Sequence, residues 1–203
     1  MKKTTPKEKY PLASVYGLFE RPLERLIGKW RKPLLEKAHG EVLEVGVGTG
    51  SNIPHYPDGV HITGIDFSRK MLSKAKKRFS HLSSVDLLLM DAEKLEFADD
   101  SFDTVVVSFV FCSVENPVNG FREIKRVCKD NGRIFLLEHV RSKKPVLGPL
   151  MDFFNPLAAG LFKDHINRNT LTTLEKAGFH PDTIRSENLW LDVVKRIEIV
   201  NVS

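Results

Sequence analysis

The chain has 203 residues, 41% hydrophobic and 28% charged, which fits one globular domain with a sizeable core and excludes a disordered or collagen-like chain. No apolar run reaches the roughly 18 residues of a membrane-spanning helix, and the basic start MKKTTPKEKYP lacks the apolar stretch of a signal peptide, so a cytoplasmic protein is expected. The net charge of +5 is concentrated in residues 1–40, with ten Lys/Arg against four Asp/Glu, while the remainder holds 21 against 22; this favours a local contact with an anionic surface over a nucleic-acid channel.

In chain order, residues 11–38 come first. Leu12, Val15, Tyr16, Phe19, Leu23, Leu26, Ile27, Trp30 and Leu34 recur at helical spacing, and Pro22 and Pro33 divide the segment into two or three short helices. The opposite face carries Arg21, Arg25, Lys29, Arg31 and Lys32. Two readings stand side by side: a helix packed on the domain with a solvated basic face, or one docked on anionic headgroups with Phe19 and Trp30 in the interface.

From residue 41 strands and helices alternate. EVLEVGV (41–47) reads as a buried strand, VHITGIDF (60–67) as a second, and SRKMLSKAKKRFS (68–80) as a helix capped by Ser68. VDLLLMDA (85–92) and SFDTVVVSFVF (101–111) are the third and fourth strands. NPVNGFREIKRVCKD (116–130) is a helix closed by Asp-Asn-Gly, and RIFLLEHV (133–140) is the fifth strand. This order predicts a parallel sheet with helices on both faces. An insertion at 141–166 mixes prolines and glycines with Leu150, Met151, Phe153, Phe154, Leu157 and Leu161, as a substrate-side loop after a strand end would, or a packed excursion without ligand contact. NRNTLTTLEKAGF (167–179) is a last helix. The tail RIEIVNVS alternates with period two and reads as an antiparallel edge strand. The chain thus divides into an amphipathic segment, 1–40, and a domain, 41–203.

The chemistry begins at the turn after the first strand. Glu44, Gly46, Gly48 and Gly50 form E-x-G-x-G-x-G, and Ser51-Asn52 follow. A phosphate loop needs Lys-Ser/Thr after its last glycine, and a dinucleotide fingerprint needs glycine at position 51; neither condition is met. A carboxylate beside the turn instead suits a ligand with a zwitterionic amino-acid tail and a positive sulfonium. Asp66, ending the second strand, can take both hydroxyls of a ribose. At the end of the third strand Asp91 can accept from an adenine amino group while Ala92 offers its backbone N–H, and Met71 can cover the adenine face.

Glu44 with the three glycines, Asp66, Asp91-Ala92 and FADDSFDTVV together resemble the class I S-adenosylmethionine-dependent methyltransferases over about residues 41–140. The resemblance implies a Rossmann-like α/β fold, a seven-stranded mostly parallel sheet with an antiparallel last strand. It also implies S-adenosyl-L-methionine as cofactor, with Asn52, Phe67 and Ser108 joining the cofactor-binding set. No metal site is expected: Cys112 and Cys128 have neither metal-ligand nor disulfide spacing. Ser108-Phe109-Val110-Phe111-Cys112 lacks the acidic/Asn-Pro-Pro-aromatic clamp of methylases acting on base amino groups, so a nucleic-acid acceptor is not expected.

The leading basic segment, LLEHVRS and HINRNTL are similar to bacterial phosphatidylethanolamine N-methyltransferases and to related quinone methyltransferases. A thiol-methylating branch shares FCSVENP-like stretches, so the acceptor stays open between a lipid amine and another apolar small molecule. A non-enzymatic adaptor that merely binds the cofactor is a third reading. For the phospholipid enzymes the resemblance implies docking of residues 11–34 on anionic membrane, a peripheral location on the inner face of the cell membrane, and a monomer. Tyr16, with Tyr10, could close over the sulfonium or simply belong to the core. Glu138 and His139 end the fifth strand, where His139 could take the proton of an ammonium headgroup, directly or through water, or serve as a structural histidine. His165, Asn167 and Arg168 could hold a phosphate, or Asn167 could cap the last helix.

Overall fold

The computed structural model describes residues 28–162, 165 and 167–202. Seven strands form one sheet in the order β3-β2-β1-β4-β5-β7-β6. They are β1 Glu41–Val45, β2 His61–Asp66, β3 Val85–Leu89, β4 Phe102–Ser108, β5 Cys128–His139, β6 Ile184–Trp190 and β7 Val194–Val200. β1 to β5 run parallel, and β7 lies antiparallel between β5 and β6. The helices are α1 (28–35), α2 Arg69–Phe79, α3 Pro117–Val127, α4 Leu147–Phe162 and α5 Thr170–Lys176.

Alternation along each strand sends neighbouring side chains to opposite faces, and both faces are buried. Leu43, Val45, Val105 and Val107 join one apolar cluster with Phe121 and Ile124 of α3 and Leu174 of α5. Val42, Val106, Phe135 and Leu137 join the other, with Leu72, Ala75 and Phe79 of α2 and Leu34 and Leu35 of α1. Leu34 and Leu35 are fully buried, so the end of the leading segment belongs to the core. Lys29 and Lys32 are exposed, as a solvated basic face requires. Arg31 is not: it is buried, and its charge acts on Glu44. Residues 1–27, with Tyr10, Tyr16, Phe19, Arg21 and Arg25, lie outside the described residues.

Three expectations from the sequence change. The tail strand β7 is interior, with Ile197 and Ile199 buried, and the edge is β6, whose side chains are mostly exposed. The sequence IRSENLW has no apolar alternation, and β6 holds its place by backbone pairing to β7 through a two-residue turn. In that turn Leu191 (φ 45°) and Asp192 (φ 57°) are left-handed and Val193 N–H donates to Trp190 O at 2.8 Å.

Asp-Asn-Gly does not close α3. That helix ends at Val127, Cys128 is already extended, and Asn131 (φ 60°) sits in a bulge within β5. Asn201 explains the break: its amide N–H₂ lies 2.7 Å from Cys128 O and 3.1 Å from Lys125 O, taking the carbonyls that further helix would need. Finally, the insertion, to which the sequence assigns no regular element, contains α4, with Pro149 in its first turn and Pro156 inside. Ser68 caps α2 as expected, accepting from Met71 N–H. The cap of α5 is Asn169.

Candidate active site

The C-terminal ends of β1, β2, β4 and β5 bring the expected residues to one edge of the sheet. After β1 the chain turns through Gly46 (φ 72°), Gly48 (φ 56°) and Gly50 (φ 83°). The turn is packed unevenly. A Cβ on Gly46 would meet Val110 Cγ2 at 2.3 Å, and one on Gly50 would meet Phe79 Cε2 at 2.5 Å. At Gly48 the nearest atom is Met71 Cε at 3.7 Å, so this glycine alone leaves room beside the backbone.

Asp66 fastens this turn to β2. One carboxylate oxygen accepts from Gly48 N–H at 2.8 Å, the other from Ser68 N–H at 2.6 Å. Burial raises its pKa, and the two N–H groups oppose the rise. The carboxylate is half-buried beside Gly48, and Phe67 follows it in the chain before Ser68, the cap of α2.

Glu44 lies beneath the turn, 2% exposed. It accepts from Asn52 Nδ2 at 3.0 Å and from Tyr56 O–H at 3.0 Å. The Asn52 amide also donates to Ser108 Oγ at 3.1 Å, joining β1 to the end of β4. Burial pushes the Glu44 pKa up to about 7, against the hydrogen bonds of Tyr56 and Asn52 and the charge of Arg31. The same burial, with Glu44 opposite, raises the Tyr56 phenol well above its usual range. Asn52 Oδ1 is buried with no hydrogen-bond partner. Tyr56 is the residue sequence reasoning missed. Its signal was the i, i+4 spacing from Asn52 across a single 3-10 turn, Ile53–His55.

Beyond β3, Asp91 is exposed and folds its carboxylate onto Glu93 N–H at 2.9 Å, while Lys94 N–H closes the turn on Asp91 O. Ala92 O lies near Gly120, 3.6 Å from where a Cβ would sit.

On the acceptor side, Glu138 is 1% exposed and one oxygen accepts from Val110 N–H at 2.9 Å and Phe111 N–H at 3.2 Å. It thereby holds the turn after β4, where Phe109 has a left-handed φ of 56°. The His139 ring lies 4.6 Å from the Phe109 ring, and burial lowers its pKa. Burial thus favours the neutral form of the imidazole.

The 165–168 stretch does not present one cluster. Arg168 turns inward, donating to Val114 O at 2.6 Å, with its buried Nε unpaired and its pKa lowered chiefly by burial. Asn167 donates to Asp152 on α4 at 3.0 Å, and Arg141 clasps the same carboxylate. His165 is exposed, and its N–H donates to Cys112 O at 2.9 Å.

A parallel sheet with a reversed β7, glycines after β1 and carboxylates ending β1 and β2 define a nucleoside-cofactor transferase fold. The profile described as Methyltransferase domain matches residues 43–136. A phosphatidylethanolamine N-methyltransferase of Cereibacter sphaeroides is 41% identical over 55% of this chain and 55% of that protein. A ubiquinone/menaquinone biosynthesis C-methyltransferase of Geotalea daltonii is 30% identical over 74% of this chain and 71% of that one. A thiol S-methyltransferase of Rattus norvegicus is 32% identical over 68% and 59%. In fold, the chain matches a Haemonchus contortus phosphoethanolamine N-methyltransferase with a TM-score of 0.67 at 16% identity, over 86% of this chain and 53% of that one. The alignment thus spans about half the length of the Cereibacter relative. The chain belongs to the S-adenosylmethionine-dependent methyltransferases.

The residues present fit that cofactor. Asp66 stands beside the one glycine of the turn with open space, Met71 Cε lies on that side, and Asn52 Oδ1 is a buried acceptor in need of a donor, as an ammonium group would supply.

Proposed function

We propose that the chain N-methylates a phospholipid amine headgroup, phosphatidylethanolamine and its methylated products, at a membrane surface. The likeness that carries this reading is the 41% identity to the Cereibacter phosphatidylethanolamine N-methyltransferase. The bound cofactor supplies an electrophilic methyl group; the protein's part is to position the acceptor, remove its proton and exclude water.

Asp66, Gly48 and Met71 would hold the nucleoside, with Asp91 and Ala92 at the base. Asn52 would receive the ammonium group, with Glu44, Tyr56 and Ser108 fixing its amide. An ethanolamine ammonium must lose a proton before it can attack. A ring nitrogen of His139, which packs beside Phe109 at this edge of the sheet, would take that proton directly or through water. Glu138 acts through position: by holding Val110 and Phe111 N–H it sets the turn against which His139 packs. Arg168 carries the charge suited to a headgroup phosphate, and Tyr16 in the leading segment would cover the site. Residues 11–34 would attach the chain to anionic lipid through exposed basic side chains such as Lys29 and Lys32, while Trp30, Arg31 and Leu34 pack toward the core.

The relatives that methylate a quinone carbon or a thiol favour a second reading, an apolar small-molecule acceptor. A panel of phosphatidylethanolamine, a demethylated quinone and an alkyl thiol, each given with isotopically labelled cofactor, separates the two. Label in the lipid headgroup supports the proposal; label confined to quinone or thiol replaces it.

A further inference from the structure

α4 has an apolar face with no partner among the described residues. Val146 just ahead of the helix (77% exposed) and Leu150 (48%), Phe153 (76%) and Phe154 (47%) on it recur at i, i+4, i+7 and i+8, so they share one side, while Met151 is turned to the protein. The two phenyl rings meet edge to face at 5.2 Å.

A second apolar projection stands beside it. Trp190 and Leu191, 50% and 52% exposed, form the tip of the β6–β7 hairpin. Asp192 in that tip accepts from Ser142 O–H at 2.6 Å and Lys143 N–H at 2.8 Å, which fixes the hairpin to the segment leading into α4. Both lie on the cofactor edge of the sheet, because Val194, opening β7, pairs with His139 at the end of β5.

The charge around the patch is basic. Arg141, Lys143, Lys144 and Lys195 flank it, against Asp152 and Asp192. Lys143 and Lys195 are near enough that the Lys143 charge, after burial, helps to hold Lys195 below the ordinary lysine range. Aromatic side chains that project outward inside a rim of lysines match a lipid interface, where rings enter the headgroup boundary and ammonium groups meet anionic phosphates. A second copy of this chain would bring the same basic rim to the contact and be repelled by it.

We propose that α4 and the β6–β7 tip form a second membrane-docking face, separate from residues 11–34, which turns the edge holding Gly48 and His139 toward anionic lipid. This rests on the lipid reading of the function but is tested without it. Full-length protein is sedimented with vesicles of phosphatidylglycerol and phosphatidylcholine, which contain no methylatable amine. Two variants are compared, Phe153→Ser with Trp190→Ser, and Lys143→Glu with Lys144→Glu.

Each variant should partition at least tenfold less than wild type, with S-adenosylmethionine affinity by calorimetry unchanged within twofold. Wild-type partitioning in both variants would overturn the docking face, even if phosphatidylethanolamine in detergent micelles were still methylated. So would a switch from dimer to monomer with vesicle binding unaltered, since a second copy would then be the occupant. Loss of partitioning in a protein that labels only a thiol or quinone would keep the docking face and remove the lipid-amine reading.

Discussion

Asp66 and Glu44 sit at the ends of neighbouring strands and are held in different ways. Asp66 is half-buried, fed by two backbone N–H groups, and retains lone pairs for a ligand. Replacing it by Ala should weaken S-adenosylmethionine binding by about 2–3 kcal/mol, because charge-assisted hydrogen bonds to hydroxyls are among the stronger polar contacts. Titration calorimetry giving wild-type affinity would show that the ribose lies elsewhere. Glu44 is a buried acid whose folded pKa, about 7, exceeds its unfolded value near 4.5. The folded state therefore binds this proton more tightly than the unfolded chain. Its contribution is favourable below pH 4.5, is lost as pH rises to about 7, and is constant above that, a change on the order of 3 kcal/mol at most. Melting temperatures of Glu44→Gln between pH 5 and 8 should fall less steeply with pH than those of wild type; parallel slopes would exclude the linkage. Asp66 was legible in the sequence because its signal is local, a carboxylate at a strand end after a glycine turn. Tyr56 was not, since its bond to Glu44 depends on how a single 3-10 turn aims a phenol. The position of Glu138 under the turn after β4 depends on the pairing of β4 with β5, a long-range fact.

The glycine turn and the bulge in β5 show how far pattern carries at the level of elements. E-x-G-x-G-x-G marked the turn, yet its glycines serve different ends: Gly46 and Gly50 admit Val110 and Phe79, and Gly48 leaves space. Gly48→Ala has room for its methyl but must keep a left-handed φ, costing about 1 kcal/mol of stability. Its cofactor affinity should fall more than tenfold, because the methyl group would occupy the space beside the backbone. Denaturant melts paired with calorimetry check both, and an affinity loss no larger than the stability loss would contradict the assignment. In β5 the mistaken helix end came from Asp-Asn-Gly, a sound stop signal overridden by Asn201 some 70 residues away. Asn201→Ala removes a buried donor shared by Lys125, Cys128 and Lys129 carbonyls and should cost about 2–3 kcal/mol in urea unfolding. A loss below about 0.5 kcal/mol would mean that those carbonyls find other donors. β6 was invisible because an edge strand held by backbone pairing and by polar cross-strand pairs, Arg196 with Glu187 and Lys195 with Asn188, needs no apolar pattern.

Across the whole molecule, family and cofactor were legible because they reside in a contiguous run of motifs, residues 41–140, whose order fixes the sheet. The acceptor cannot be read from those motifs, because through them the chain is similar to an N-, a C- and an S-methyltransferase alike. Among the described residues no helix is long and apolar enough to cross a membrane. On the proposed lipid reading, α4, the hairpin tip and the basic leading segment would meet the headgroups at the membrane surface. The most direct measurement is mass spectrometry of lipids after incubating the protein with phosphatidylethanolamine vesicles and trideuteromethyl-labelled cofactor. Labelled N-methylated phosphatidylethanolamine, strongly reduced in the His139→Gln variant, is the expected result. Unlabelled lipid from a protein that binds the cofactor normally would contradict the assignment of a lipid amine as acceptor.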